Sequence, residues 1–307
     1  MDEYGELKYE NLFERNLGIY SPEEQERIRN GKVVIVGCGG IGGVVALALA
    51  RSGLENFYLF EFDTFQSSNM NRQVTCSVNT LGVNKALTVR DAILEINPQA
   101  KVEVNQEGVK PDEIEDVIRM GDVVMPAADD WALSMTMFNA TKDLGKPAVM
   151  AYPVGALGRV STFLPESPYA AECLAMPYKV GYAELKEFME NTDNRKILQY
   201  YQTEGDWRQD WFDEWCEDQR PHAQLCTIVW LTGTLAAMEI LKLISKKWKP
   251  VVAPRYWYIT PERARIRRFR FGRRLMSRIS RRRWGKALIP ALAKRPGLVR
   301  LFTRLIS

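Results

Sequence analysis

The stretch KVVIVGCGGIGGVVALALARSG, Lys32 to Gly53, decides the fold. Its first residues form a continuous β-branched run, the pattern of a strand buried on both faces of a parallel sheet. The residues after the glycines read as a helix with Gly53 as its stop. Between them Gly37, Gly39 and Gly42 form G-x-G-x-x-G, with Gly40 inside the motif. Glycines there permit a tight turn and close approach of backbone to a phosphate at the positive end of the helix. In this strand–turn–helix setting the motif indicates nucleotide binding and leaves NAD, FAD and ATP open.

Outward from this core, SPEEQERIRN (Ser21 to Asn30) predicts a helix capped by Ser21 with Pro22 in its first turn. FYLFEF predicts the next strand, and a helix follows over Lys85 to Ile96, closed by Asn97-Pro98. KVEVN, DVVMPAA and PAVMAYP predict further strands, with helical stretches between the first two and around Ala132 to Asp143. GRVSTFLP predicts a strand that adds to the sheet. Alternation of this kind implies an α/β fold: a doubly wound, mainly parallel sheet with a Rossmann-like nucleotide-binding half, a helical insertion and a basic helical C-terminal tail. The expected divisions are a helical segment at 1–30, a Rossmann-like core at 31–165, an acidic aromatic crossover at 166–222, completion of the core at 223–260 and a basic amphipathic tail at 261–307.

The chain has 307 residues, 46% apolar and 26% charged, ordinary for a protein with a buried core. Five cysteines are scattered without a C-x-x-C pair, which argues against a disulfide framework or a compact zinc site and suits a cytoplasmic setting. The acidic N-terminus lacks the order of a signal peptide. CTIVWLTGTLAAMEILKLI has the length of a membrane span, but Glu239 and Lys242 within it favour a buried helix. In the crossover, Trp207, Trp211 and Trp215 are spaced to share one face of a helix, either docked on the core or acting as a lid or partner surface.

The choice of nucleotide comes from FEFDTFQSSNMNRQ, Phe60 to Gln73. Glu61 ends a strand where an acid suits a ribose hydroxyl, and Asp63 belongs to the same cofactor-binding set. Asn69, Arg72 and Gln73 follow in one loop with Ser68 and Asn71, and Lys85 comes within about one helix. A nicotinamide pocket is flat and apolar, whereas converging cations and amides stabilise polyphosphate. Asp129, in MPAADDW, sits at the carboxyl end of a later strand, and a carboxylate beside a triphosphate most simply holds Mg²⁺.

GCGGIGG, FEFDTFQSSNMNRQ, LGVNKALTVRDAILEINP and AADDWALSMTMFNATKDLGKPAV resemble, in order and spacing, the ThiF/MoeB branch of the ubiquitin-activating (E1-like) superfamily, which also includes HesA. The resemblance implies an adenylyltransferase that uses ATP and Mg²⁺ to activate a carboxylate, typically the C-terminal glycine of a ubiquitin-like sulfur carrier. By position, Glu61 resembles the ribose-binding acid, Asn69, Arg72, Gln73 and Lys85 the phosphate ligands, and Asp129 the magnesium aspartate. Arg15, in FERNLG, resembles the arginine that reaches across a homodimer to the γ-phosphate.

Departures accompany the resemblance. AAEC (Ala170 to Cys173) stands where relatives carry a first zinc cysteine pair, so no structural zinc is expected. Ser134 replaces an arginine that often follows the magnesium aspartate. Cys173, Cys216 and Cys226 lie near the region of a thioester cysteine without a nucleophile context, and His222 reads as structural.

From Pro261 to Ser307 sixteen Lys or Arg face one acid, Glu262, so this end carries +15 and the rest −11 of the net +4. Leu298, Leu301, Phe302, Leu305 and Ile306 add an apolar stripe. Such a segment fits a peripheral membrane anchor or an acidic partner, including a second copy; Trp284 and Phe302 are too few for a nucleic-acid stacking platform. The expected function is adenylation of a sulfur-carrier, ubiquitin-like or peptide carboxylate by a homodimer. Rival readings are a tRNA-modifying ATP-dependent dehydratase of the same superfamily, an NAD-dependent oxidoreductase and a non-catalytic scaffold.

Overall fold

A computed structural model describes residues 7–191, 193–194, 206 and 208–269. The strands are β1 (Lys32–Val36), β2 (Asn56–Phe60), β3 (Lys101–Asn105), β4 (Val123–Pro126), β5 (Ala148–Val154), β6 (Leu157–Phe163), β7 (Arg255–Thr260) and β8 (Arg263–Arg268). They form one eight-stranded sheet in the order β3-β2-β1-β4-β5-β6-β7-β8. Strands β3 to β5 run parallel, and β5-β6, β6-β7 and β7-β8 pair antiparallel.

The helices are α1 (Tyr9–Leu12), α2 (Pro22–Asn30), α3 (Gly40–Arg51), α4 (Lys85–Ile96), α5 (Ile114–Met120), α6 (Trp131–Asp143), α7 (Ala170–Cys173), α8 (Tyr182–Glu190), α9 (Gln209–Cys216) and α10 (Cys226–Ser245). One sheet face is covered by α2, α3, α4 and α10, and the other by α5, α6, α7 and α8. The doubly wound form follows from strands such as β1 and β4, whose apolar side chains serve both layers.

Local chemistry explains the expected elements. Ser21 and Glu24 make a reciprocal capping box at the start of α2. The Asn84 side chain caps α4, and α4 ends at Ile96, as the Asn97-Pro98 pair requires. The long apolar helix α10 buries Ile228, Val229, Ala236, Ala237, Ile240 and Leu241 in the core. Its Glu239 is fully buried and satisfied: it accepts from Lys242 Nζ at 2.6 Å, Val251 N at 2.6 Å, Trp257 Nε1 at 2.9 Å and Thr162 Oγ1 at 3.1 Å. This carboxylate ties α10 to β6 and β7.

Two expectations are revised. The segment read as a helical tail from residue 261 begins as strand β8, which moves the sheet edge to Arg268. The rest of that tail, from residue 270, lies outside the described residues. In the aromatic crossover, Trp207 also lies outside them, and the buried anchor of α9 is Phe212, 6% exposed, while Trp211 and Trp215 are half-buried. Among the described residues Phe212 is the buried ring of this helix, with Trp211 and Trp215 packed less deeply.

Candidate active site

A crevice opens at the carboxyl ends of β1 and β4, because the helices that follow them, α3 and α6, leave to opposite faces. This is the topological switch point at which open α/β sheets bind ligands. Gly37 leaves β1 with φ +97°, and a Cβ there would lie 2.5 Å from the Ala127 carbonyl oxygen. A Cβ at Gly42 would lie 1.8 Å from the Gly37 carbonyl oxygen. Only glycine fits either place. Gly39 is the N-cap of α3, which starts at Gly40, so the unpaired N–H groups of the helix meet the crevice.

Glu61 ends the neighbouring strand and is 9% exposed. Its carboxylate accepts from Cys38 N at 3.0 Å and from Asp63 N at 3.0 Å. It therefore braces the glycine turn from the side, and its remaining lone pairs can still accept a ribose hydroxyl. The Cys38 thiol is fully buried, and that burial, reinforced by the Glu61 charge, pushes its pKa up. It is an inert packing residue.

Asn84 Nδ2 donates to the Glu61 carbonyl at 2.9 Å, which ties the start of α4 to the end of β2. Lys85, the first residue of α4, is 4% exposed, and its Nζ donates to Asp63 Oδ2 at 2.7 Å. A buried ammonium needs a partner; with three donors, Lys85 can hold Asp63 and a second anion together.

The loop beyond adds further polar groups. Asn69 is buried, and its Oδ1 accepts from Gln66 N at 3.0 Å, closing a single turn over Ser67–Asn69. Arg72 Nη1 donates to the Ser68 carbonyl at 3.0 Å and to Asn71 Oδ1 at 2.8 Å. The Arg72 Cγ lies 3.8 Å from where a Cβ at Gly40 would stand, so the stem of this side chain passes beside the N-terminus of α3. Gln73, 7% exposed, lies over Gly39, and its Oε1 is buried with no hydrogen-bond partner among the described residues. An acceptor left in that state costs about 1–3 kcal/mol until a ligand or water donates to it.

Two adjacent acids divide their tasks. Asp130 caps α6 through Leu133 N at 2.9 Å and accepts from the Tyr182 hydroxyl at 3.0 Å. Asp129 is exposed, and its carboxylate makes no hydrogen bond or ion pair among the described residues. No group of three or more His, Cys, Asp or Glu side chains converges among them either. A lone available carboxylate fits Mg²⁺, which keeps waters and takes phosphate oxygens from a bound nucleotide. Ser134 is buried and donates to the Ala128 carbonyl at 3.2 Å, so it supports the loop that carries Asp129.

Arg15 is not brought to this crevice. The neighbouring Asn16 Nδ2 donates to the Ser52 carbonyl at 3.1 Å, beyond the last residue of α3. The 12 residues of α3 extend about 18 Å, which separates Arg15 from Gly39. Cys173 is fully buried and Cys226 half-buried at the first residue of α10; the side chain of Cys216 lies outside the described residues.

Three further groups at the crevice were not prominent in the sequence. Residues 221–225 cross its mouth: the Ala223 carbonyl accepts from Gly155 N at 3.0 Å and the Gln224 carbonyl from Asn71 Nδ2 at 3.2 Å. His222, between these attachments and Pro221, packs edge-on against Trp215 at 4.7 Å. Burial, with the Arg72 charge added, lowers the His222 pKa to about 4. At the end of β5, the Tyr152 ring meets Trp131 edge-on at 4.3 Å. Tyr152, Arg159, Tyr258 and Arg265 stand in register across β5, β6, β7 and β8. Burial raises the Tyr152 pKa and the Arg159 charge opposes that rise. Arg159 is fully buried; in the sequence its signal is the period of two that places it on the same strand face as Leu157 and Phe163.

A glycine turn at a switch point, a buried acid beside it, two cations and one available carboxylate define a nucleotide-binding protein of the Rossmann-like class. The chain belongs to the ThiF family, whose model matches residues 13–277. It is 30% identical over 160 residues to the probable adenylyltransferase/sulfurtransferase MoeZ of Mycobacterium tuberculosis, covering 52% of this chain but 40% of that protein. It thus spans less than half the length of that relative. Protein HesA of Leptolyngbya boryana is 25% identical over 234 residues, which cover 76% of this chain and 72% of HesA. Among solved structures, E. coli MccB with ATP superimposes with a TM-score of 0.62 at 21% identity, covering 87% of this chain and 72% of that one. That likeness is one of fold.

Proposed function

We propose that this chain is an ATP-dependent adenylyltransferase that activates a carboxylate: the C-terminus of a sulfur-carrier or ubiquitin-like protein, or of a peptide. One observation carries the reading: the Arg72 side chain passes beside the N-terminus of α3, at a glycine turn that admits no side chain. A triphosphate brings more negative charge to that point than the diphosphate of a nicotinamide cofactor, and Arg72 together with Lys85 matches the larger charge. The adenylyltransferase name carried by relatives such as MoeZ supports the same reading.

In this reaction a carboxylate oxygen of the substrate attacks the α-phosphorus, the bond to the bridging oxygen breaks, and pyrophosphate leaves with that electron pair. No general base is required, because carboxylates are ionised at neutral pH. Glu61 orients the ribose, Asn69 and Gln73 fix the phosphate chain, and Arg72 and Lys85 offset the charge that develops on pyrophosphate. Mg²⁺ bound at Asp129 would supply Lewis-acid neutralisation of the phosphates.

The same reading makes the protein a homodimer with Arg15 acting in trans. Arg15 is exposed at the far end of α3, and α10 leaves Trp230, Leu231 and Met238 exposed, each by 40% or more. Mixing Arg15→Ala with Lys85→Ala protein tests this arrangement. Mixed dimers would regain one intact site and part of the activity; no recovery in verified mixed dimers contradicts it. The adenylation claim is tested by ATP–pyrophosphate exchange with candidate carboxylates, which should vanish in Lys85→Ala and Asp129→Ala.

A further inference from the structure

Residues 221–225 form a strap between two rims of the crevice. On one rim the Ala223 carbonyl accepts from Gly155 N at 3.0 Å, in the turn between β5 and β6. On the other, the Gln224 carbonyl accepts from Asn71 Nδ2 at 3.2 Å. Helix α9 packs on the strap: Trp211 Nε1 donates to the Pro221 carbonyl at 3.1 Å, and Trp215 meets His222 edge-on. The strap runs directly into α10, where Trp230 Nε1 donates to the Arg72 carbonyl at 2.8 Å. The chain from Pro221 to Trp230 is thus tied twice to the loop that carries Arg72.

Asn71 is shared between the strap and the Arg72 cation. Its Oδ1 accepts from Arg72 Nη1 at 2.8 Å, while its Nδ2 donates to the Gln224 carbonyl. An amide has one accepting end and one donating end. Turned over, it would set its NH₂ against a guanidinium and its oxygen against a carbonyl, so the two partners together select one orientation. Arg72 Nη1 also donates to the Ser68 carbonyl at 3.0 Å, whereas Nε and Nη2 donate to nothing among the described residues. An anion held by those two nitrogens would fix the guanidinium, and through it the Asn71 amide. Asn71 is exposed and Arg72 half-buried, so with no anion present each of these bonds competes with water and contributes little.

We infer that Asn71 couples the nucleotide phosphates to the strap: a phosphate on Arg72 fixes Asn71, which holds residues 221–225 across the mouth of the crevice. Asn71 is a positioning residue, because it acts on the nucleotide through Arg72. The coupling arises from order. A hydrogen bond to a partner already immobilised costs less to form than one to a partner still free to rotate. The inference rests on the proposed reading of the crevice as an ATP site.

The test is amide hydrogen exchange of the full-length protein, with and without α,β-methylene-ATP at concentrations that saturate each variant by equilibrium binding. In the parent the analogue should slow exchange over residues 222–225 about fivefold, the size expected for one surface hydrogen bond. In Asn71→Ala the analogue should still bind, and the slowing should vanish. Asn71→Asp keeps an acceptor for Arg72 but sets an oxygen against the Gln224 carbonyl. It should also lose the slowing, at an unchanged melting temperature. A merely structural Asn71 would speed exchange equally with and without the analogue, leaving the slowing in place. Slowing that survives in both variants, or analogue binding that leaves the parent strap unchanged, would overturn the inference and spare the ATP reading. Failure of the analogue to bind the parent would overturn both.

Discussion

The two halves of the sheet hold themselves together in different ways. The parallel half, β3 to β5, has apolar central strands in β1 and β4 and places its polar chemistry in the loops beyond their ends. The antiparallel half, β5 to β8, buries charge within the layers: Glu239 of α10, which packs on it, and Arg159 on β6, both fully buried. The parallel half can give Arg72 and Asp129 to a ligand because neither is buried in the core. The antiparallel half cannot, since Glu239 already has four partners. Substitutions in the two halves should therefore separate activity from stability.

The largest effect is expected at Glu239. Glu239→Ala leaves Lys242 buried without its carboxylate and three donors unmatched, and should cost about 3–5 kcal/mol. Denaturant unfolding measures this loss; nucleotide affinity of the protein that remains folded should not change. Arg72→Ala reverses the pattern. It should lower pyrophosphate exchange by about 10²–10³-fold, with a melting temperature near that of the parent, because Arg72 is half-buried in a surface loop.

His222 lies where the halves meet. Its pKa is about 4 in the folded chain against an ordinary 6.5. The unfolded chain therefore binds the extra proton first as pH falls, so stability is lost between pH 6.5 and 4. This amounts to about 2 kcal/mol between neutral pH and pH 5. Unfolding measured at both pH values should give His222→Gln a shallower slope by that amount; equal slopes contradict the buried neutral imidazole. The smallest effect is expected at Tyr9, whose hydroxyl donates to the Gly53 carbonyl at 2.8 Å and accepts from Gln25 at 2.8 Å. Tyr9→Phe should cost about 1 kcal/mol, without altering exchange in the assembled protein.

The same division governs what could be read from the sequence. The capped ends of α2 and α4, the glycine turn and the cluster from Glu61 to Lys85 are legible because each depends on neighbours in the chain. Lys85 at the start of α4 and Glu61 at the end of β2 are examples. β8 was read as part of a tail, because its pairing partner β7 gives an arginine-rich stretch a place that its own composition does not suggest. The position of His222 against Arg72 was hidden for a similar reason: the chain returns to the nucleotide loop after roughly half its length. Arg15 shows a different limit: in the proposed homodimer it serves another copy, and such a residue has no reason to lie near the crevice of its own chain.

The most direct test of the central claim is ATP–pyrophosphate exchange by purified full-length protein with peptides and carrier proteins ending in a free carboxylate, alongside equilibrium binding of ATP and NADH. The account predicts ATP binding, carboxylate-dependent exchange with at least one such substrate, and loss of exchange in Lys85→Ala and Asp129→Ala. Binding of NADH without binding of ATP would contradict it.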